Sequence, residues 1–526
     1  MTSCDSANAE SGLGVYRKIA SVGGLTLASR VLGLVRDQII AAVLGAGPVA
    51  DAFFLANRLP NHFRSLFAEG AFNVAFLPAF TTTLQRDGKA RALALAEQVQ
   101  AILLAVLLVV LVAALAAMPW LISVMEPGGT AAAQTELKVE LTRITFPYLL
   151  FMSLVSLQGG VLNGLGRFGA AAAAPILLNL FMIGAVLGLT PFLPTAGHAL
   201  AWGVFLSGIA QFLYLEWDMR RAGVSLRLVR PRLSPGVRRF FRALGPATLG
   251  AGMAQISVFA DTIIAQALPT GAQSYLNYAD RLNQLPLGVI GIAVGTVLLP
   301  ELTRRLAADD HQGALASQNR AIELTLALTL PFAIAFLVAA EPILAAMFER
   351  GRFTAVDSHQ SALTLTAYAF GLPAFVLVRC LLPGFYARGD TATPVKIAVA
   401  TVALNVGLKI ALMDSLSQVG LAVGTSAGVW LNIVLLAWVL HRRGQFSLDA
   451  ASRRRLPRMV LAGAVMAAAL WGLLVLAAPA LAGRSDLLAI ATVLGVLAVA
   501  GLVYLAALFG LGALRMEDLR RLRRRG

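Results

Sequence analysis

Long apolar runs recur along nearly the whole chain and decide what it can fold into. Each run has about 17 to 25 residues, which is enough for a helix to cross a hydrocarbon core of roughly 30 Å. With 58% hydrophobic and 13% charged residues, the chain lies far from the soluble norm of about 25% charged. The sequence therefore predicts an all-α polytopic membrane protein with about fourteen transmembrane helices. These begin near residues 20, 51, 97, 141, 169, 198, 240, 274, 322, 361, 394, 418, 458 and 486.

Lysine and arginine are concentrated in alternate connections between the predicted spans. Cytoplasmic loops carry the excess of these residues, and the pattern is strongest when both termini are placed in the cytoplasm. Missing one span would abolish the asymmetry, so an even number of spans is favoured. Residues 1–19 lack the basic region and cleavage site of a signal peptide, and we expect them to remain as a short disordered cytoplasmic tail.

Two other classes are disfavoured by composition. Cys4 and Cys380 are the only cysteines, which excludes a disulfide framework. The net charge of +16 suggests nucleic acid at first sight, but the basic runs Arg453–Arg455 and Arg520–Arg525 lie directly beside apolar spans and carry no interleaved aromatic residues. We therefore expect no nucleic-acid partner.

The two halves of the chain resemble each other. Residues 36–61 align with residues 260–285, which places Asp37 on Asp261 and Arg58 on Arg281 with one gap. If each copy has six spans, both enter the membrane from the same side and form parallel repeats about an axis along the membrane normal. We expect substrate to lie between these halves.

The repeats and the basic loop from Arg220 to Arg242 together predict the domain organisation. The predicted parts are a tail (1–19), an N-lobe (20–222), a basic amphipathic linker along the membrane surface (223–239), a C-lobe (240–443), two further spans (444–514) and a basic cytoplasmic tail (515–526).

A set of charged residues falls inside the predicted spans. A charge at mid-membrane costs about 2.5 to 3.5 kcal/mol on insertion scales, so such residues usually face a bundle interior or a watery cavity. The planar fork of arginine suits phosphate oxygens, and a diphosphate fits several arginines better than one carboxylate does. The sequence predicts an anion site formed by Arg30, Arg36, Asp51, Arg58, Arg64 and Arg281.

The alternative interpretation is structural. These arginines could serve only to neutralise acids in the spans or to extend to the headgroup layer. The acids concerned are Asp37, Asp51, Glu69 and Asp280. We favour the anion site because the arginines exceed the acids, and a closed core would not tolerate surplus positive charge.

Other polar residues carry weaker signals. Asp261 and Asp390 are candidates for a cation site, although Asp390 equally fits a helix cap after Gly389. Lys409 and Asp414 are expected to snorkel together at the end of a span. No nucleophile motif, phosphate-binding glycine loop or cysteine cluster occurs, so the sequence favours a transporter without a cofactor over an enzyme.

Two stretches carry a family resemblance. Residues 29–80, from SRVLGLVRDQ to FLPAF, and YADRLNQLPLGVIGIAVGTVLLPEL from Tyr278 closely resemble the MurJ (MviN) family, whose members are lipid II flippases of the multidrug/oligosaccharidyl-lipid/polysaccharide exporter superfamily. The likeness extends over essentially the whole chain. It implies two six-helix lobes around a V-shaped cavity, and two C-terminal helices that form a groove for a polyprenyl tail.

The resemblance also implies a function and residue roles. The substrate would be lipid II, an undecaprenyl-diphosphate-linked disaccharide-pentapeptide, moved from the inner to the outer leaflet of the bacterial cytoplasmic membrane by alternating access. Sodium or the membrane potential would drive it, and membrane lipids and the cell-wall synthesis or division machinery would be its partners. The family's cavity arginines map onto Arg30, Arg36, Arg64 and Arg281, and its cavity acid onto Asp51, whereas Arg58 falls where some members have lysine.

Two alternatives remain open at the level of sequence. Another exporter of the same superfamily, for lipid-linked oligosaccharides or for drugs coupled to cations, would share the fold, although a carrier of cationic drugs should favour acidic and aromatic cavity residues. A membrane glycosyltransferase could also bind a polyprenyl diphosphate through arginines. It would need a catalytic carboxylate and usually a sizeable outward loop, and the outward loops here are short.

Overall fold

The structure is a computed structural model that describes residues 3–64, 71–126, 132–232, 237, 238, 240, 242, 258–481 and 487–514. Throughout these residues the regular secondary structure is helical, as the sequence predicts. The first helix already begins at Ser3, where the sequence predicts a disordered tail. In the first part of the chain the helices are α1 (Ser3–Leu44), α2 (Pro48–Arg64), α3 (Ala71–Asp87), α4 (Lys89–Met125), α5 (Ala132–Thr145), α6 (Tyr148–Gly164), α7 (Gly169–Gly188), α8 (Ala196–Arg221) and α9 (258–266).

The remaining helices lie beyond Thr270. They are α10 (Ala272–Ala307), α11 (His311–Val338), α12 (Ala340–Phe348), α13 (Ala355–Tyr386), α14 (Ala392–Arg442), α15 (Ala450–Leu481) and α16 (Leu487–Gly510). Within the described residues, nine helical segments are long and apolar enough to cross a membrane. These segments are α4, α5 together with α6, α7, α8, α11, α13, α14, α15 and α16.

Helix α14 is too long to be one span. Its 51 residues would extend about 77 Å as a straight helix, more than twice a hydrocarbon core. Ser417 interrupts it with non-helical dihedral angles (φ 48°, ψ −130°). The chain reverses direction at Ser417. This is shown by the close approach of the two halves, since a Cβ on Gly420 would lie 2.7 Å from the carbonyl oxygen of Leu412 on the preceding half. The two predicted spans that begin near residues 394 and 418 correspond to these halves.

The same helical hairpin corrects the expectation for Lys409. Its side chain is only 1% exposed, whereas Asp414 is exposed, so the two do not snorkel together. Gly424 lies opposite Lys409, and a Cβ at position 424 would lie 2.7 Å from Cγ of the lysine. The missing side chain of Gly424 provides the space for the aliphatic part of Lys409 inside the hairpin.

The chain forms two compact units, Met1–Thr270 and Gly271–Gly526. The sequence division at the linker 223–239 assigns α9 to the second lobe, but the contacts of α9 lie in the first unit. Phe259 and Ile263 of α9 pack against a core that includes Leu55 and Leu59 of α2. These apolar contacts join α9 to α2 within the first compact unit.

The described part of the basic linker runs alongside α4. Residues 224–232 are non-helical, and Val224 is buried in the core of the first unit. The backbone N–H of Arg227 donates to Glu97 at 3.1 Å, and that of Arg232 donates to Gln98 at 2.9 Å. The linker is therefore held against the beginning of α4 through its backbone.

In the second unit, one buried carboxylate fastens α15 to α11. Glu323 of α11 is 4% exposed and accepts from Arg320, from Arg455 at 3.0 Å and from Ser452 at 2.6 Å. Arg320 also pairs with Asp449 at 2.9 Å. This network connects the start of α15 to α11.

Candidate functional site

Arg36 lies in a buried polar cluster between α1 and α7. Its Nε and Nη2 donate to Oδ1 of Asp37 at 3.0 and 2.7 Å, and its Nη1 donates to Oδ1 of Asn179 at 2.8 Å. Asn179 in turn donates from Nδ2 to the carbonyl oxygen of Ser29 at 2.9 Å. Arg36 and Asp37 are 9% and 5% exposed, so this pairing matches the structural interpretation in which an arginine neutralises Asp37.

Arg30 has a different environment on the same helix. Six residues separate it from Arg36, which at 100° per residue places the two side chains on different sides of α1. Arg30 is exposed, whereas Arg36 faces α7. Of Arg30 and Arg36, only Arg30 is thus exposed and accessible to an anion in this conformation.

Helix α2 presents further polar residues. Asp51 is 8% exposed in its first turn, and Arg58 is half-buried two turns later. Asn61 donates to the carbonyl oxygen of Asn57 at 2.7 Å, one turn back along the helix. Pro60 lies inside the helix, as the sequence predicts. Helix α2 packs against α5, α6 and α8, so Arg58 and Arg30 are carried by helices with largely different neighbours.

Two hydrogen-bonding residues in this region, Thr262 and Asn179, were not predicted from the sequence. His62 Nε2 and Thr262 Oγ1 lie 3.0 Å apart and connect α2 to α9. Asn179 was the other, although an amide inside an apolar run, ILLNLFMI, is the kind of intramembrane polar residue that marks a buried network. Neither pair has a local sequence signature, because the partners are far apart in the chain.

Arg64 and Arg281 are the remaining predicted arginines, and only Arg281 has a described side chain. Arg64 is the final residue of α2, and its side chain lies outside the described residues. Arg281 is half-buried on α10 in the second unit, next to Asp280, whose Oδ2 accepts from Gln284 at 2.6 Å.

The two cation candidates belong to different units. Asp390 accepts from the Thr393 N–H at 2.9 Å and from Arg443 at 2.6 Å. The hydrogen bond from Arg443, with those from Thr393, holds the pKa of Asp390 well below its usual range. This geometry matches the capping interpretation, and Asp261, half-buried on α9, is the remaining candidate. Among the described residues, no group of three His, Cys, Asp or Glu side chains is placed to hold a metal ion.

Comparison with known families decides the classification. The family model described as "Lipid II flippase MurJ" matches residues 40–507. The chain belongs to the MurJ family. A "Probable lipid II flippase MurJ" of Rhizobium meliloti (strain 1021) is 42% identical over 521 residues, which cover 98% of this chain and 97% of the relative. A protein of the same description from Vibrio cholerae is 39% identical, and the match covers 95% of this chain and 96% of the relative.

Solved structures agree at the level of the fold. A structure described as "Lipid II flippase MurJ, inward closed conformation" has a TM-score of 0.76 at 21% identity, and the match covers 95% of this chain and 99% of that one. An inward-facing multidrug resistance MATE family transporter of the MOP superfamily has a TM-score of 0.68 at 17% identity, covering 81% and 98%. Together with the apolar helices, this MurJ family membership makes the chain a multi-pass protein of the bacterial inner membrane.

Proposed function

We propose that this chain is a lipid II flippase, which moves the undecaprenyl-diphosphate-linked disaccharide-pentapeptide from the inner to the outer leaflet for cell-wall synthesis. The observation that carries the proposal is similarity along the whole chain, at 42% identity over 98% of its length, to a relative described as a probable lipid II flippase. The positive charge inside the predicted spans agrees with a diphosphate substrate.

The accessible arginines are the direct ligands in this proposal. Arg30 is exposed, Arg58 and Arg281 are half-buried, and each supplies a planar pair of donors to phosphate oxygens. Arg64 completes the set by resemblance to the family. Arg36 and Asp51 have a different part, because both are buried and Arg36 is already paired with Asp37. In this proposal Arg36 holds α1 against α7 through Asn179.

Movement between leaflets follows the family's alternating access. In this proposal fourteen spans form two six-helix lobes around a V-shaped cavity, and α15 and α16 guide the polyprenyl tail. A membrane potential of about 100 mV is worth about 2.3 kcal/mol per elementary charge, enough to bias the cycle without ATP. Sodium at Asp261 is the alternative driving force.

Depletion of this protein in its own bacterium tests the proposal. With no other flippase present, lipid II should accumulate in the inner leaflet, and growth should return on expression of the wild-type chain. The R30A variant should fail to restore growth, whereas R86A, which removes an exposed arginine at the end of α3, should restore it. Unchanged distribution of lipid II between the leaflets on depletion would contradict the proposal, and loss of drug efflux alone would favour an exporter of cationic drugs.

A further inference from the structure

A cavity of about 520 Å³ lies within the second unit, and none of the arginines of the proposed substrate site is among its lining residues. It is an open cavity lined by the end of α11, by α12, by the first turns of α13, by the end of α15 and by the beginning of α16. Its volume falls in the range of about 300 to 1,000 Å³ that small-molecule sites occupy.

The ends of the surrounding helices indicate where the cavity lies relative to the membrane. α11 ends at Val338, α13 begins at Ala355, α15 ends at Leu481 and α16 begins at Leu487. All four are apolar enough to span a membrane and longer than the roughly 20 residues that cross the hydrocarbon core, so we expect their ends to reach the headgroup layer. The cavity therefore lies at headgroup level.

One part of the lining carries net negative charge. Glu341 of α12 and Glu349 just after it line the cavity together with His359 of α13. The ring Nδ1 of His359 lies 3.0 Å from Oε2 of Glu341. Whether this histidine is neutral or protonated, at least one negative charge remains. The neighbouring cation, Arg350, donates to the carbonyl oxygens of Ala346 and Met347.

The rest of the lining is apolar. Leu337 and Leu363 are each 43% exposed, although both are large hydrophobic side chains. Leu481 at the end of α15 and Val493 near the beginning of α16 complete the apolar part of the lining. A ligand that fits has one cationic end and one apolar end, because both kinds of surface lie within a single cavity.

The chemistry of the charged part favours an organic cation. In the described residues no trio of acidic, histidine or cysteine side chains has a metal-binding arrangement, so a metal ion is a poor fit. An ammonium group carries three N–H donors and can bond two carboxylates without strict coordination geometry. A quaternary ammonium has no such donors.

We propose that this cavity binds a phospholipid with a primary ammonium headgroup. The ammonium lies against Glu341 and Glu349, and the first part of an acyl chain lies along Leu481 and Val493. The site contains none of the arginines proposed to bind the diphosphate, and its occupant holds the α15–α16 pair against α12 and α13.

Native mass spectrometry of the full-length purified protein tests this proposal. The probes are phosphatidylethanolamine, phosphatidylcholine and phosphatidylglycerol with identical acyl chains. We expect phosphatidylethanolamine to bind at least about tenfold more tightly than phosphatidylcholine, because only its headgroup donates to the carboxylates. The double variant E341Q/E349Q should lose this preference.

Two further variants make the test specific. E136Q removes an exposed glutamate of α5 in the first unit and should keep the preference. A345F places a bulky ring in the lining of the cavity and should reduce binding of phosphatidylethanolamine without a change in carboxylate charge. Equal binding of the three lipids, or an undiminished preference in E341Q/E349Q, would overturn the proposal.

Discussion

Arg36 donates a hydrogen bond of 2.8 Å to Asn179, 143 positions later in the chain, and so ties α1 to α7 through a buried charge. Asn179 also donates to Ser29, which makes it the acceptor and the donor of one cluster. Loss of a hydrogen bond to a charged group lowers the free energy of unfolding by about 1.5 to 3 kcal/mol. We therefore expect N179A to lower the melting temperature in detergent, measured by intrinsic fluorescence.

The matched control for this change is N163A. Asn163 is a half-buried asparagine on α6 of the same unit, and its side chain forms no hydrogen bond within the described residues. Its replacement should leave the melting temperature nearly unchanged. Equal effects of N179A and N163A would show that the Arg36 cluster does not stabilise the fold.

Arg30 and Arg36 should separate function from stability. R30A removes an exposed guanidinium, so we expect a large loss of lipid II translocation with an unchanged melting temperature. R36A removes the cation paired with Asp37 inside the protein, which typically costs about 3 to 5 kcal/mol, so both properties should fall. Translocation in liposomes and thermal unfolding, measured on one preparation, check the pair. A stable and fully active R36A variant would contradict this division.

Much of the fold could be predicted because bilayer thickness constrains the sequence directly. Apolar runs of spanning length gave the helical class, and the pair that begins near residues 394 and 418 appears as the two halves of α14. The burial of Lys409 could not be predicted, because it depends on Gly424 of the other half of the hairpin. Hydropathy reports the environment of a segment, not the partner that makes room for one side chain.

The residues of the candidate site stay a prediction from sequence, and the contacts that each of them forms could not be predicted. The cost of a charge in hydrocarbon singles out Arg30, Arg36, Arg58 and Asp51 from sequence. The same rule does not tell which arginine is accessible and which is paired inside. Contacts such as His62 with Thr262, 200 positions apart, depend on tertiary packing that no local periodicity encodes.

The Glu323 network should be the strongest electrostatic contribution to docking of α15. E323Q removes the negative charge that Arg320 and Arg455 share at a site only 4% exposed, which should cost about 3 kcal/mol. Its control is E301Q, because Glu301 pairs with Arg304 and Arg305 at a more accessible position and such pairs contribute about 1 kcal/mol or less. Thermal unfolding of both variants provides the comparison, and a larger loss in E301Q would contradict it.

Asp390 should contribute a pH-dependent stabilisation between α13 and α14. Arg443 lowers the pKa of Asp390, so its favourable contribution is complete above the unfolded pKa of about 3.9 and is lost as pH falls through the lower folded value. We expect D390N to have a lower melting temperature than the wild type at pH 7 and a smaller difference at pH 3. The exposed Asp414 supplies the control D414N. A difference independent of pH would exclude the carboxylate charge as its source.

Gly424 and Gly407 should respond oppositely to alanine, although both lie in α14. A Cβ at position 424 would lie 2.7 Å from Cγ of Lys409 and 3.3 Å from the carbonyl oxygen of Asn405, whereas one at position 407 meets nothing within 4 Å. Overpacking costs about 1 to 3 kcal/mol, so G424A should lower the melting temperature. G407A should raise it slightly, because glycine inside a helix is about 0.5 to 1 kcal/mol less favourable than alanine. Destabilisation by G407A as large as by G424A would contradict close packing of the hairpin at Lys409.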